Sequence, residues 1–247
     1  MLKLINGEIY RLLHKKSMYI YFCSLAAGYL LLSFIRSGGF HAESIVNDAF
    51  YFFNVLPAIA GGFLFSAIYT DDLNAKNLNT LVGFGMRKAK IVFVKFILTA
   101  LFGAVIFALV PLLLYVVHAA FGWAATANSM KIVFAVSLKY FLTTVGFSTL
   151  AGIAAYGLQR STFAMVLYIL FAFNIVGGLL TVFLVSMVGA NSASTITSLL
   201  MAGITDRILA GITSGGPLLI AIINYMIYIF IASTISVIAF SKKEMEF

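Results

Sequence analysis

Charged side chains are scarce in this chain of 247 residues. Lysine and arginine together number 16 and aspartate and glutamate 8, so charged residues form only 10% of the sequence, against about 25% in a typical soluble domain. Hydrophobic residues form 62%, and the mean hydropathy is +1.07. This composition excludes a water-soluble globule, a disordered chain and a nucleic-acid-binding module.

Residues that bind metals or act as catalysts are also few. Cys23 is the only cysteine, which excludes an intrachain disulfide and a cysteine zinc site. The three histidines are dispersed, and the motifs His-Glu-x-x-His, Gly-x-Ser-x-Gly and Gly-x-x-x-x-Gly-Lys-Ser/Thr do not occur. We therefore predict no metal site, no catalytic residue and no nucleotide site of the phosphate-loop kind.

Long uncharged runs make up most of the chain. Each is about as long as the ~20 apolar residues that cross the hydrocarbon layer of a bilayer, or longer. They cover residues 17–35, 49–70, 96–130, 140–159, 161–205 and 208–241. The sequence therefore predicts an all-α polytopic membrane protein, folded as a single transmembrane domain over residues 1–247.

Polar residues divide the longest runs and set the boundaries of the predicted helices. We predict six transmembrane helices, at residues 18–35, 50–69, 92–118, 133–157, 162–189 and 217–240. Pro57 and Pro111 fall inside two of them and predict kinks, because proline cannot donate a backbone hydrogen bond.

Basic residues predict the orientation. With the N-terminus inside, the cytoplasmic segments hold eleven lysines and arginines and the external segments three. Cytoplasmic loops are enriched in these residues, so both termini are predicted to be cytoplasmic, and the same bias accounts for the net charge of +8. Lys95 and Lys139 lie near span ends, where long side chains can extend to the membrane surface.

Residues 1–16 have the pattern of an amphipathic helix. At 100° per residue, five apolar side chains share one face, and charged or polar side chains occupy the rest. The five are Leu2, Ile5, Ile9, Leu12 and Leu13. The pattern predicts an elbow helix lying in the inner membrane interface before the first span; the alternative is an ordinary positively charged flank.

The predicted cytoplasmic loop over residues 70–90 contains a second, shorter helix pattern. Asp71 and Asp72 can cap a helix and favour its positive end, and Gly83 or Gly85 can end it in the left-handed conformation. Three apolar residues between these signals share a face, namely Leu78, Leu81 and Val82. The pattern predicts a helix on the membrane surface that a cytoplasmic partner grips.

The predicted external segment over residues 190–216 is not a random polar loop. Apolar residues recur in it at helical spacing, which predicts one or two amphipathic or re-entrant helices sealing the outer face. They are Ile196, Leu199, Leu200, Ile204 and Ile208.

The middles of the spans offer little ionisable chemistry. An ion-driven transporter usually carries ionisable groups there, and the middles of spans one, two, three, five and six hold none, which disfavours ion coupling. Scattered polar groups within the spans either hydrogen-bond between helices or line a substrate path. Candidates for the path are Asn54, Asn174, Asn224 and Tyr228. The 24 phenylalanines and 12 tyrosines suit an amphipathic peptide or a lipid better than an ion or a sugar.

In this arrangement the chain resembles the permease subunits of the type-2 ATP-binding-cassette (ABC) exporter superfamily. The resemblance covers the whole architecture: an elbow helix, six spans, a long cytoplasmic loop between spans two and three, and a helical external segment. Locally it rests on an acidic start, where the family usually has Glu, then a coupling helix, a Gly-x-x-Arg motif and a lysine entering span three. Here these places are taken by Asp71 and Asp72, Thr80-Leu81, Gly85-Met86-Arg87 and Lys95, with one residue rather than two between the glycine and the arginine.

The resemblance implies that residues 77–85 dock on a separate cytoplasmic ABC ATPase. That partner would bind ATP and Mg²⁺, so this chain needs no cofactor of its own. The implied coupling residues are Asp72, Asn77, Leu78, Thr80, Leu81, Gly85 and Arg87.

It further implies a twelve-span dimer with a second permease copy or a homologue, surrounded by the lipid of a bacterial cytoplasmic membrane. The short length resembles the branch that exports bacteriocins, lantibiotics or toxic amphipathic peptides such as phenol-soluble modulins, and that confers immunity to them. Export of a lipid or a drug by the same architecture, and ion-coupled secondary transport, stay open as alternatives.

Overall fold

The computed structural model describes residues 2–35, 44–74, 77–120 and 126–242, and within these ranges the chain is helical with no β-strand. The helices are α1 (Leu2–Leu13), α2 (Lys16–Ile35), α3 (Ser44–Leu56), α4 (Gly62–Phe65), α5 (Asp71–Asn74), α6 (Asn77–Gly83), α7 (Lys88–Ala120), α8 (Ala127–Leu158), α9 (Ser161–Ala172), α10 (Ile175–Val188), α11 (Ala190–Thr197), α12 (Met201–Ser214) and α13 (Leu218–Lys242).

Four helical stretches are long and apolar enough to cross a membrane, namely Ile45–Leu73, Lys88–Ala120, Ala127–Leu158 and Leu218–Lys242. Two bent pairs also pass when each is taken as one span: α9 with α10, bent by 62°, and α11 with α12, bent by 80°. An all-helical, multi-pass membrane protein is thus confirmed, with four to six candidate spans. The exact span count, the elbow helix and the orientation stay predictions.

Most predicted boundaries agree with the helices of the structure. The predicted spans 92–118, 133–157 and 217–240 correspond to α7, α8 and α13, and the predicted external segment 190–216 forms α11 and α12. The predicted span 162–189 differs, because it is broken between α9 and α10. Asn174 stands at that break in the left-handed conformation, with φ +54°.

Helix α8 lies at the centre of the bundle. It packs against α3, α7, α9, α12 and α13, and two apolar core clusters, one containing Phe147 and the other Val136, form around it. Its N-terminus is capped by Thr126, whose hydroxyl accepts a hydrogen bond from the Ser129 amide at 3.1 Å. A single helix therefore contacts nearly every candidate span.

The predicted kink at Pro57 takes the form of a π-helical turn. Two such turns, Pro57–Gly61 and Ser66–Thr70, join α3, α4 and α5 into one continuous helical path. The Tyr168 hydroxyl of α9 donates a hydrogen bond to the Pro57 carbonyl at 2.7 Å. π-helical turns are rare and often occur at functional sites. Pro111, by contrast, lies inside α7, which continues as one helix to Ala120.

Helix α10 is unusual because none of its residues is buried. Its exposed side chains are mostly large and apolar, among them Leu179, Val182 and Phe183. A continuous apolar surface of this kind is stable only against lipid or another apolar surface.

Candidate functional site

Charged side chains from three separate segments meet at one end of the bundle. The N-terminal segment, made of α1 and Lys15 just after it, contributes an acid and two bases, the start of α5 contributes two acids, and α7 contributes one base. The six residues, here called the ionic cluster, are Glu8, Arg11, Lys15, Asp71, Asp72 and Lys95.

The centre of the ionic cluster is buried. The side chains of Lys95 and Asp72 are each 2% exposed and pair with one another. Lys95 Nζ also lies 3.1 Å from Glu8 Oε2, and Arg11 joins both acids, with its Nη2 2.7 Å from Glu8 and its Nη1 on Asp72. Removing one member of such a buried group leaves an uncompensated charge, which is strongly destabilising.

The periphery of the ionic cluster is more exposed to solvent than its centre. Lys15 pairs with Asp71, and both side chains are more than a third exposed, so this pair contributes little to stability. Burial lowers the pKa of Arg11, but the carboxylates of Asp72 and Glu8 more than offset it, and the pKa is raised above its ordinary value. With three acids and three bases, the ionic cluster is electrically balanced.

Local sequence explains how each segment presents its charges. Glu8 and Arg11 are three residues apart and share one face of α1, and Lys15 follows two residues after the helix ends at Leu13. Leu12 on α1 is fully buried in the apolar core, which fixes the rotation of the helix. The two aspartates lie near the C-terminal end of the continuous helical path Ile45–Leu73, so they do not cap α6 as predicted, and the basic side chains around them compensate their charge instead of a helix N-terminus.

Aromatic side chains connect the ionic cluster to the interior of the helical bundle. Tyr69 stacks on Phe65 at 4.7 Å between ring centroids and meets Tyr156 edge-on at 6.0 Å, while Phe65 stacks on Tyr168 at 5.1 Å. A cavity of about 10 Å³ lies beside Asp72, Tyr69 and Tyr156. A space of that size holds no more than a water molecule, so it is not a substrate pocket.

The predicted surface helix forms as α6. Its C-terminus has the left-handed glycine that was predicted, at Gly85 with φ +79°. The amide of Met86 donates to the Leu81 carbonyl at 3.2 Å and that of Gly85 to the Val82 carbonyl at 2.8 Å, which is the Schellman arrangement. Phe84 stands at this end with 81% of its surface exposed.

The predicted coupling residues divide into buried and exposed groups. Asp72 belongs to the ionic cluster, and Leu78 is buried beside it, lining the same small cavity. Thr80, Gly85 and Arg87 are exposed. Leu81 is half-buried against the core, and the side chain of Asn77 lies outside the described residues. The apolar face predicted to meet a partner therefore packs partly against the bundle. The exposed side chains at the end of α6, here called the tip, are Thr80, Phe84 and Arg87.

The predicted path residues do not form one site. Asn54 accepts a hydrogen bond from the Tyr140 hydroxyl of α8 at 3.3 Å, whereas Asn174 lines a different cavity beside α12. Asn224 and Tyr228 are half-buried, one helical turn apart on α13. Interhelical hydrogen bonding, the alternative kept open for these groups, accounts for Asn54.

Sequence reasoning missed the partners of Lys95. This lysine was expected to extend to the membrane surface, but it is buried and paired with Asp72 and Glu8. The spacing of Glu8 and Arg11 was the available signal, since it places their charges on one helix face. Lys139 is also paired, 2.6 Å from Asp206 of α12.

Comparisons of the chain with family models, with curated proteins and with solved structures give no match.

Proposed function

We propose that this chain is the membrane-spanning permease subunit of an ABC exporter. It would act as a dimer with a second permease chain and take its energy from a separate cytoplasmic ATPase. Its expected cargo is an amphipathic substrate, in particular a toxic or antimicrobial peptide. The observation that carries the proposal is the ionic cluster, because it connects α5, which precedes α6 in the chain, to both α1 and α7.

The tip has the properties of a docking surface. Phe84 is 81% exposed, and Thr80 and Arg87 are exposed on either side of it in sequence. Aromatic residues and arginine are the residue types that dominate binding energy at protein interfaces. Leu78 of α6 is buried against the bundle. A partner that moves the tip is therefore expected to move the bundle with it.

The ionic cluster would transmit such a movement from the α5–α6 segment to α1 and α7. Asp72 lies at the end of the candidate span Ile45–Leu73, and its partners Lys95 and Arg11 belong to α7 and α1. Separating buried charges costs several kcal/mol, so the three segments are expected to move together. The stacked rings of Tyr69, Phe65 and Tyr168 extend the contact from span two to α9.

An external energy source fits the ionic cluster better than ion coupling does. Its six charges neutralise one another, and the cavity beside Asp72 measures about 10 Å³. A coupling ion needs an ionisable group that gains and loses a partner as the ion binds and leaves. Here the buried carboxylates already hold fixed cationic partners.

Replacing Phe84 with alanine tests the docking role. The chain is co-expressed with the products of its neighbouring genes, among which the proposal expects an ABC ATPase, and ATPase capture and stimulated ATP hydrolysis are measured. Losing an interface anchor typically costs about 2 kcal/mol or more, so capture should fall at least about tenfold. Replacing Leu78 would not give a clean answer, since its side chain is buried.

Tyr10→Ala is the matched control for Phe84→Ala, because Tyr10 is an aromatic residue on α1 with 65% of its surface exposed and lies outside the tip. It should leave capture unchanged, and both variants should retain the thermal stability of the parent chain. Undiminished capture by Phe84→Ala, or no capture by the parent chain, would contradict the proposal.

Cysteine labelling tests the orientation on which docking depends. In a Cys23→Ser background, a membrane-impermeant thiol reagent should label Asn191→Cys from outside intact cells and should label Asn77→Cys only after the cells are opened. Labelling of Asn77→Cys from outside would place the tip on the wrong side for a cytoplasmic ATPase.

A further inference from the structure

The two broken helices meet around one cavity. The α9–α10 pair bends by 62° and the α11–α12 pair by 80°, and residues from both breaks, Asn174 and Ser198, line a space of about 470 Å³. Small-molecule pockets typically measure about 300–1,000 Å³. The cavity is therefore large enough for a ligand headgroup, unlike the space beside the ionic cluster.

Arg207 supplies the cavity with positive charge. Its Nη2 donates to the Ser198 carbonyl, while its Nε is buried and has no hydrogen-bond acceptor among the described residues. The neighbouring Asp206 carboxylate pairs with Lys139 at 2.6 Å. Within the described part of the chain, this group thus has two bases and one acid, and the guanidinium of Arg207 has no carboxylate partner.

Backbone amides add to the donors around the cavity. The first hydrogen bond of α12 runs from the Ile204 amide to the Leu200 carbonyl at 2.9 Å, so the amides of Ala202 and Gly203 have no acceptor within their own helix. Both residues line the cavity. Together with Arg207 they form an environment suited to an anion.

Hydroxyl groups on the opposite walls complement these donors. Thr181 donates to the Gly177 carbonyl at 2.8 Å, and Ser194 donates to the Asn191 carbonyl at 2.7 Å. Because their protons are already used, these hydroxyls offer lone pairs to the cavity. A ligand that fits both sides carries a negative group for Arg207 and a hydroxyl or similar donor for the walls.

The cavity borders the apolar surface of α10. Gly177 and Thr181 of that helix line it, and Val185 and Val188, one and two turns after Thr181 on the same face, are exposed. An amphiphile could therefore place its polar head in the cavity and its hydrocarbon along α10.

We propose that this cavity binds the phosphate-bearing headgroup of a membrane phospholipid, with Arg207 as the partner of the phosphate. The headgroup's own hydroxyls meet Thr181 and Ser194, and its acyl chains lie along α10. The site involves none of the residues assigned to ATPase docking, so it stands or falls separately from the proposed function.

The test measures phosphatidylglycerol bound to the purified full-length chain in phosphatidylcholine nanodiscs, by native mass spectrometry, without any ATPase. Arg207→Gln should weaken retention about tenfold, as expected for the loss of a charge-assisted hydrogen bond. The matched control, Lys131→Gln, removes the same charge at an exposed position of α8 and should leave retention unchanged.

Ala210→Leu guards against a folding defect, since it narrows the cavity while keeping Arg207, and it should also reduce retention. Equal retention by the parent chain, Arg207→Gln and Ala210→Leu would overturn the proposal. Complete displacement of phosphatidylglycerol by millimolar inorganic phosphate would also overturn it, because it would assign the site to a free anion rather than to a lipid.

Discussion

Two groups of charged residues lie along the same central helix, and they are built differently. Near Tyr156 of α8, the ionic cluster balances three acids with three bases around a cavity of about 10 Å³. Near Gly146, where Met201 of α12 packs against α8, the cap formed by α11 and α12 carries an unbalanced Arg207 beside a cavity of about 470 Å³. Gly146 and Tyr156 are about 15 Å apart along the helix axis.

The two regions differ in charge balance and in cavity volume. Together these properties distinguish a group of charges that connects helices from one that can bind a ligand. In the ionic cluster every charge is used to hold another segment of the chain, so no charge is left for a ligand. In the cap, Asp206 and Lys139 satisfy one another, and the remaining guanidinium faces open space. The ionic cluster fixes α1, α5 and α7 relative to one another. The cap instead has a charged group, Arg207, beside a cavity that can hold a ligand.

The two regions should therefore differ most in the loss of unfolding free energy that follows when one lysine is replaced in each. Lys95→Met leaves Asp72 and Glu8 buried with too little positive charge, and should lower the free energy of unfolding by about 3–5 kcal/mol. Lys139→Met removes the partner of Asp206, whose side chain is 59% exposed, and should cost about 0–1 kcal/mol. Thermal or denaturant unfolding of the purified variants measures both.

A double replacement distinguishes lost charge balance from lost packing. Lys95→Met combined with Asp72→Leu removes one base and one acid, so the remaining ionic cluster stays neutral. Replacing a whole buried ion pair with apolar residues is often neutral or stabilising, and the double variant should recover most of the loss. If it is as unstable as Lys95→Met alone, the balance of charges is not what holds these segments together.

Hydropathy was sufficient to predict most of the helices. Helix α7 begins beside Arg87 and Lys88, and α13 begins after Pro217 and ends at Lys242, so local sequence contains the information that places these ends. The break between α9 and α10 was not predicted, because the residues around Asn174 are uniformly apolar and only the left-handed backbone of that asparagine interrupts the helix.

The ionic cluster could be predicted only in part. The sequence shows that Lys95 stands close to a span end, but not that Glu8 and Asp72 come within reach, since those contacts join positions far apart in the chain. The same holds for Leu78: its amphipathic spacing predicts an apolar face, and only the tertiary structure shows that this side chain faces the bundle.

Two glycines, Gly61 in the bundle interior and Gly177 beside the cap cavity, show how tightly the chain is packed at each place. A Cβ on Gly61 would clash with the Tyr168 hydroxyl and would lie 2.7 Å from Thr144 Cγ2, and a Cβ on Gly177 would clash with the side-chain oxygen of Asn174. The hydroxyl at Gly61 is fixed by its hydrogen bond to Pro57, whereas the asparagine at Gly177 is exposed at the helix break.

Gly61→Ala should therefore cost about 1–3 kcal/mol in unfolding free energy, as expected for overpacking a filled interior. Gly177→Ala should change it by less than about 1 kcal/mol in either direction, because the gain in helix propensity opposes the displacement of a side chain that has room to move. Unfolding measurements on both variants, and on Gly61→Ala combined with Tyr168→Phe, make the test. The double variant should cost less than the sum of its parts, since removing the hydroxyl relieves the first clash. Equal losses for the two single variants would mean that the cap is as tightly packed as the interior, and that the large cavity is not free to admit a ligand.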